Sequence, residues 1–208
     1  MKGFRYCSLV AAIMLFASPA AAQFSVGVVA GANMGNLTYE LEDGTELDTE
    51  TLTSFMGGLV FDYAIGTSMA ISVQPSYMSK GATAKTGDID PDFNLDSEIS
   101  LTYIELPLLF RYVFGSGNIT PFVEAGPSIG FLSKAEITIG SQSEDIKDEV
   151  KSTDFSGSVG AGVNFGVGNN TVSAGARYSM GFSSVNDGED EEVKTKGIQL
   201  LLGFKVPL

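Results

Sequence analysis

The sequence predicts an all-β protein, an eight-stranded antiparallel up-and-down transmembrane β-barrel. Three observations predict it. Apolar side chains recur at every second residue in eight segments, the apolar face carries no charge in any of them, and the connections alternate between short and long.

The first 22 residues stand apart from this pattern. Lys2 and Arg5 precede an apolar stretch from Leu9 to Ala17, and Ala20-Ala21-Ala22 forms a small-residue cleavage site before Gln23. This is the layout of a secretory signal peptide, too short and wrongly flanked for a spanning helix. The expected organisation is therefore residues 1–22 as signal peptide and 23–208 as barrel domain. Cys7, the single cysteine, lies in the leader, so the exported chain is expected to have no disulfide and no reactive thiol.

From Gln23 onward the strands follow in order. Phe24, Val26, Val28, Ala30, Ala32 and Met34 share the apolar face of the first, and Phe55, Leu59, Phe61 and Tyr63 that of the second. Met69, Ile71, Val73 and Tyr77 form the third, and Ile104, Leu106, Leu108, Phe110 and Tyr112 the fourth. Val123, Ala125, Ile129 and Phe131 mark the fifth, and Phe155, Val159, Ala161, Val163 and Phe165 the sixth. Val172, Ala174, Ala176, Tyr178, Met180 and Phe182 mark the seventh, and Ile198, Leu200, Leu202, Phe204, Val206 and Leu208 the last. Turn-forming Gly, Ser and Asn place short connections at 64–68, 115–118 and 168–170. Long ones are expected at about 37–53, 81–100, 136–154 and 184–195. Both termini then lie with the short turns, expected on the periplasmic side, and the long loops are extracellular.

Eight strands can also close as a soluble, lipocalin-like ligand-binding barrel, and the distribution of charge separates the two. Here the strand charges Asp62, Lys80, Glu105, Arg111, Glu124, Arg177 and Lys205 all fall on the face opposite the apolar one, with Lys134 at the loop-side end of the fifth strand. A lumen of eight strands is only wide enough to be filled by side chains, so charges inside it must pair. Asp62, Glu105 and Glu124 balance Arg111, Arg177 and Lys205, and counting from the turns groups Glu105, Glu124, Arg177 and Arg111 as a cluster plugging the lumen. Aromatic residues near both ends of the strands, such as Phe61, Tyr63 and Tyr112 by the turns and Tyr77, Phe131, Phe155 and Phe182 by the loops, suit the two bilayer boundaries.

Four stretches carry a family resemblance: LTYIELPLLFRYVF from Leu101, PFVEAGPSIGFL from Pro121, ARYSMGFSSV from Ala176 and GIQLLLGFKVPL from Gly197. Glu105-Leu106-Pro107-Leu108 and Ala125-Gly126-Pro127-Ser128 are the most specific parts. The chain resembles the PorT-like outer-membrane β-barrel proteins, often labelled porin family, of Bacteroidetes-type bacteria. The resemblance implies an eight-stranded barrel in the outer membrane of a Gram-negative cell, for most members without a defined activity, and PorT itself is associated with a secretion apparatus. One departure is the end of the chain, where Phe204 lies inward of a terminal Leu208 and the usual closing aromatic is missing.

The function classes narrow accordingly. Of 208 residues 25 are Asp or Glu and 12 Lys or Arg, a formal net charge of −13, which argues against nucleic acid as a partner. With no histidine, a Ser-His-Asp triad, a Cys-His pair and His-ligated metals are excluded. No catalytic residue, cofactor or metal is expected. Most acidic residues lie in the long loops, and Asp88, Asp90 and Asp92 are candidate cation contacts, although they lack the Gly and closing spacing of a calcium loop. A solvated acidic surface accounts for the same residues. The expected role is structural or interactive in the cell envelope, with outer-membrane lipid, barrel-assembly machinery and envelope or secretion proteins as partners. A narrow passive pore is the alternative.

Overall fold

The computed structural model describes residues 23–40, 46–85, 96–140, 142–185 and 192–208. The expected leader and the candidate cation contacts Asp88, Asp90 and Asp92 lie outside the described residues.

Antiparallel pairing closes the sheet on itself. In chain order the strands are β1 (Phe24–Glu40), β2 (Glu46–Asp48), β3 (Glu50–Ile65), β4 (Met69–Val73), β5 (Ser76–Lys85), β6 (Asp96–Val113), β7 (Ile119–Ile139), β8 (Gln142–Asp145), β9 (Thr153–Val167), β10 (Asn170–Gly181) and β11 (Glu192–Pro207). β4 and β5 share one place in the wall, between β3 and β6. β1 pairs with both β3 and β11, so the first and last wall strands meet and no edge is left in the ring of eight. The short β2 and β8 lie outside that ring, paired with β1 and β7.

Local chemistry explains the details. Gly66, Gly115 and Gly168, each with φ between 63° and 73°, take the left-handed conformation in the three short turns. Pro75 has no N–H to give the ladder and separates β4 from β5. The wall is still stitched there, because the Pro75 carbonyl accepts from Leu59 N–H at 2.9 Å and the Pro107 carbonyl accepts from Gln74 N–H at 3.2 Å. A bulge between Thr102 and Tyr103 of β6 lets one extra β7 residue slip in opposite, so Ser133 and Lys134 both face outward and Ala135 returns to the interior.

The wall is greasy outside and polar inside. Phe61, Leu106 and Leu202 are 43%, 40% and 66% exposed, whereas Asp62, Glu105, Arg111, Glu124 and Arg177 are buried. A soluble barrel has the opposite distribution, so the outer face is the one wetted by lipid.

The strands run further than the alternation suggested. β1, β3, β5, β6, β7, β9 and β11 extend into stretches expected to be loops, and β2 and β8 lie within two of them. The lumen at that end is closed by apolar side chains, with Leu37, Ala82, Leu101, Tyr103, Leu132, Ala135, Val185 and Val193 packed together and Ile99, Ile146 and Val150 against them. Ile146 and Val150 come from the third long connection, whose backbone is tied down where Ala135 accepts from Ile146 N–H at 3.1 Å and Val185 accepts from Lys151 N–H at 2.9 Å.

Candidate functional site

The interior charges form two tiers. Nearer the short turns, Glu124 of β7 is the hub. Its Oε2 accepts from Arg111 Nε at 3.1 Å and Nη2 at 2.8 Å, and its Oε1 accepts from Arg177 Nε at 3.0 Å and Nη2 at 2.6 Å. Two guanidiniums thus grip one carboxylate, each giving two charge-assisted N–H bonds to one of its oxygens. Arg111 also reaches Asp62 Oδ2 at 3.2 Å, and Lys205 donates to the same oxygen. Gln74 Oε1 accepts from Arg177 at 2.7 Å, and Gln199 lies 3.4 Å from Arg177 Nη1.

Strand register brings these groups together. Arg111 pairs with Glu124, Glu124 with Gly160, Gly160 with Arg177 and Arg177 with Gln199, a single row crossing β6, β7, β9, β10 and β11. Small residues make room for it. A Cβ at Gly162 would sit 2.6 Å from Phe122 Cζ, and the Phe122 ring is the platform under Arg111, whose Cζ lies 4.5 Å from the ring centroid. The cavity left beside Arg111, Glu124, Arg177 and Lys205 measures about 20 Å³, the room of a single water.

The second tier lies nearer the loops and has a cation as its hub. Lys80 of β5 pairs with Glu105 and, at 2.9 Å, with Asp154 Oδ2. Ser128 donates to Glu105 Oε2 at 2.7 Å, and Thr195 and Ser183 donate to Asp154 at 3.2 and 3.1 Å. The Tyr103 ring lies 5.4 Å from Lys80 Nζ and joins this tier to the apolar packing above it.

Of the six lumen charges read from the sequence, the structure brings Glu124, Arg177, Arg111, Asp62 and Lys205 together. Glu105 is a correction: it does not join them but faces Lys80, because it lies six positions closer to the loop end of β6 than Arg111 does. Asp154 is a second correction. The alternation assigned it to an acidic loop, yet it is the second residue of β9, points inward and is 0% exposed. One signal could have found it: Lys80 is the interior cation left over when Asp62, Glu105 and Glu124 are matched to Arg111, Arg177 and Lys205, so a fourth interior acid was needed.

With both tiers counted, the described residues place four acidic and four basic side chains in the interior. Such a set can neutralise itself, brace facing walls and block the lumen. Among the described residues no three acidic, His or Cys side chains gather to hold a metal ion.

Residues 16–187 match the family described as outer membrane protein beta-barrel domain. Among solved structures, the chain is similar to Neisserial surface protein A, with a TM-score of 0.51 at 17% identity over 89% of this chain and 97% of that one. It is also similar to OprG from Pseudomonas aeruginosa (TM-score 0.47, 12% identity, 90% and 97% covered) and to Ail of Yersinia pestis (0.44, 17%, 88% and 99%). No curated protein matches the chain significantly. The first likeness agrees with the fold found here, and the family match settles membership: the chain belongs to the outer membrane protein beta-barrel domain family and lies in the outer membrane.

Proposed function

We propose that this protein is a closed, non-conducting barrel with a structural or interaction role in the cell envelope, and that it presents an acidic rim to the exterior. The observation that carries the reading is the filled interior. An ion or solute would have to part the bonds of Arg111 and Arg177 to Glu124, then those of Lys80 to Glu105 and Asp154, and finally displace the apolar cluster around Tyr103 and Leu101. Each buried bond of this kind is costly to break without a replacement partner. A non-enzymatic role fits a site of paired charges with no nucleophile and base set for chemistry. The ELPL and AGPS stretches support a place in the PorT-like branch, with lipid, the barrel-assembly machinery and envelope or secretion proteins as partners.

Single-channel recording in planar bilayers tests closure. The wild-type barrel is expected to give no stable conductance steps. Discrete, reproducible steps would instead favour the narrow passive pore.

A further inference from the structure

The outer wall is uneven. On the lipid-facing side of β7, β9 and β10 a trough of about 500 Å³ runs over a floor of Ala125, Pro127 and Gly157, beside a bank formed by Tyr178, Met180 and Phe182. Register accounts for its shape. Ala125 and Pro127 pair across to Val159 and Gly157, which pair in turn with Tyr178 and Met180, so Ala125, Pro127 and Gly157, with the mid-sized Val159 among them, adjoin the large side chains of the third strand. Gly157 lets the Phe182 ring lie close against β9, since a Cβ there would lie 2.6 Å from Phe182 Cζ. The bank is exposed, with Phe182 at 62%.

We infer that this trough is a binding site for one acyl chain of an outer-leaflet lipid, held longer than the chains along the rest of the wall. The inference goes beyond the proposed function and rests on the lipid-facing wall and on the exterior placement of the long loops given there. Three points support it. The trough is continuous with the apolar face that contacts the bilayer, and its β9 and β10 residues lie toward the loop ends of those strands, on the outer-leaflet side. A chain lying in it meets protein on its floor and flank, where a flat wall offers one side, and dispersion contacts accumulate accordingly. A second copy of this chain is a poor occupant, because a two-fold contact needs a self-complementary surface and a concave patch does not fill itself.

Native mass spectrometry of the folded barrel, transferred from nanodiscs of palmitoyl-oleoyl phosphatidylethanolamine, tests this. The wild type is expected to retain a single lipid as its dominant adduct. Ala125→Phe fills the floor and Phe182→Ala takes the most exposed ring from the bank, and each is expected to lower the retained fraction about tenfold relative to the bare barrel. Ala30→Phe, an equal addition on the exposed face of β1, should leave retention unchanged. Folding of each variant is checked by its gel shift between heated and unheated samples, and Phe182→Ala alone decides the matter if Ala125→Phe does not fold. A bare wild type, a spread of adducts with no preference for one, retention unaffected by the trough variants, or a wild-type dimer that Ala125→Phe splits would each overturn the inference.

Discussion

The two interior tiers are opposites in construction. In the turn-side tier an anion, Glu124, is shared by two arginines; in the loop-side tier a cation, Lys80, is shared by two carboxylates. All these side chains are almost fully buried, so each hub neutralises charge that water cannot reach. The tiers differ in what happens when a hub is lost. A guanidinium stays charged at any accessible pH, whereas a carboxylate can be neutralised by a proton. The arginine tier therefore has no chemical escape and the carboxylate tier has one.

The largest effect is expected from Glu124→Leu, which strands Arg111 and Arg177. Asp62 can compensate Arg111 in part, but it is already shared with Lys205, and Arg177 keeps only the neutral Gln74 and Gln199. A loss of about 3–5 kcal/mol is expected, the usual cost of removing one side of a buried ion pair. Urea unfolding in lipid vesicles measures it. A change below about 1 kcal/mol, the scale of an exposed pair, would mean that the arginines are solvated rather than locked.

Lys80→Met comes next and sharpens the contrast. It leaves Glu105 and Asp154 without their cation, but either can take up a proton and keep its hydroxyl donors. The expected loss near neutral pH is about 2 kcal/mol, below the full cost of an unrelieved buried charge. A loss as large as that of Glu124→Leu would break the distinction between the tiers.

The difference between the tiers also explains what could be read in advance. A strand's alternation assigns every residue within it to one face, so Asp62, Arg111, Glu124, Arg177 and Lys205 could be placed inside from parity alone. Which of them touch depends on register across the wall, which parity does not supply, and so counting from the turns groups Glu105 with the wrong tier. Asp154 was lost for another reason. Alternation weakens at strand ends, where Asp and Ser are as common as in loops, so Thr153-Asp154 read as the end of a connection. The apolar closure was hidden too, because Leu37, Leu101 and Leu132 lie on the face expected to be polar, and residues 132–135 change face at a bulge that no periodicity reveals.

The smallest effect is expected at a second lysine pair, which differs from Lys80 in little but its surroundings. Lys134 and Glu136 lie 2.7 Å apart on the outer side of β7, and their side chains are 58% and 35% exposed, against 6% and 4% for Lys80 and Glu105. The hydrogen bond to Glu136 holds the Lys134 ammonium above the usual lysine range. A pKa raised in the folded state stabilises it at every pH below the ordinary lysine value and ceases to do so only as pH rises through the folded one, so no change is expected near neutrality. Water already solvates both partners, the long side chains lose freedom in meeting, and salt screens what attraction remains. Lys134→Ala should therefore unfold at the wild-type urea midpoint at moderate ionic strength. If it unfolded as early as Lys80→Met, burial would not be what separates the two lysines, and the greater importance assigned to the interior pairs would lose its physical basis.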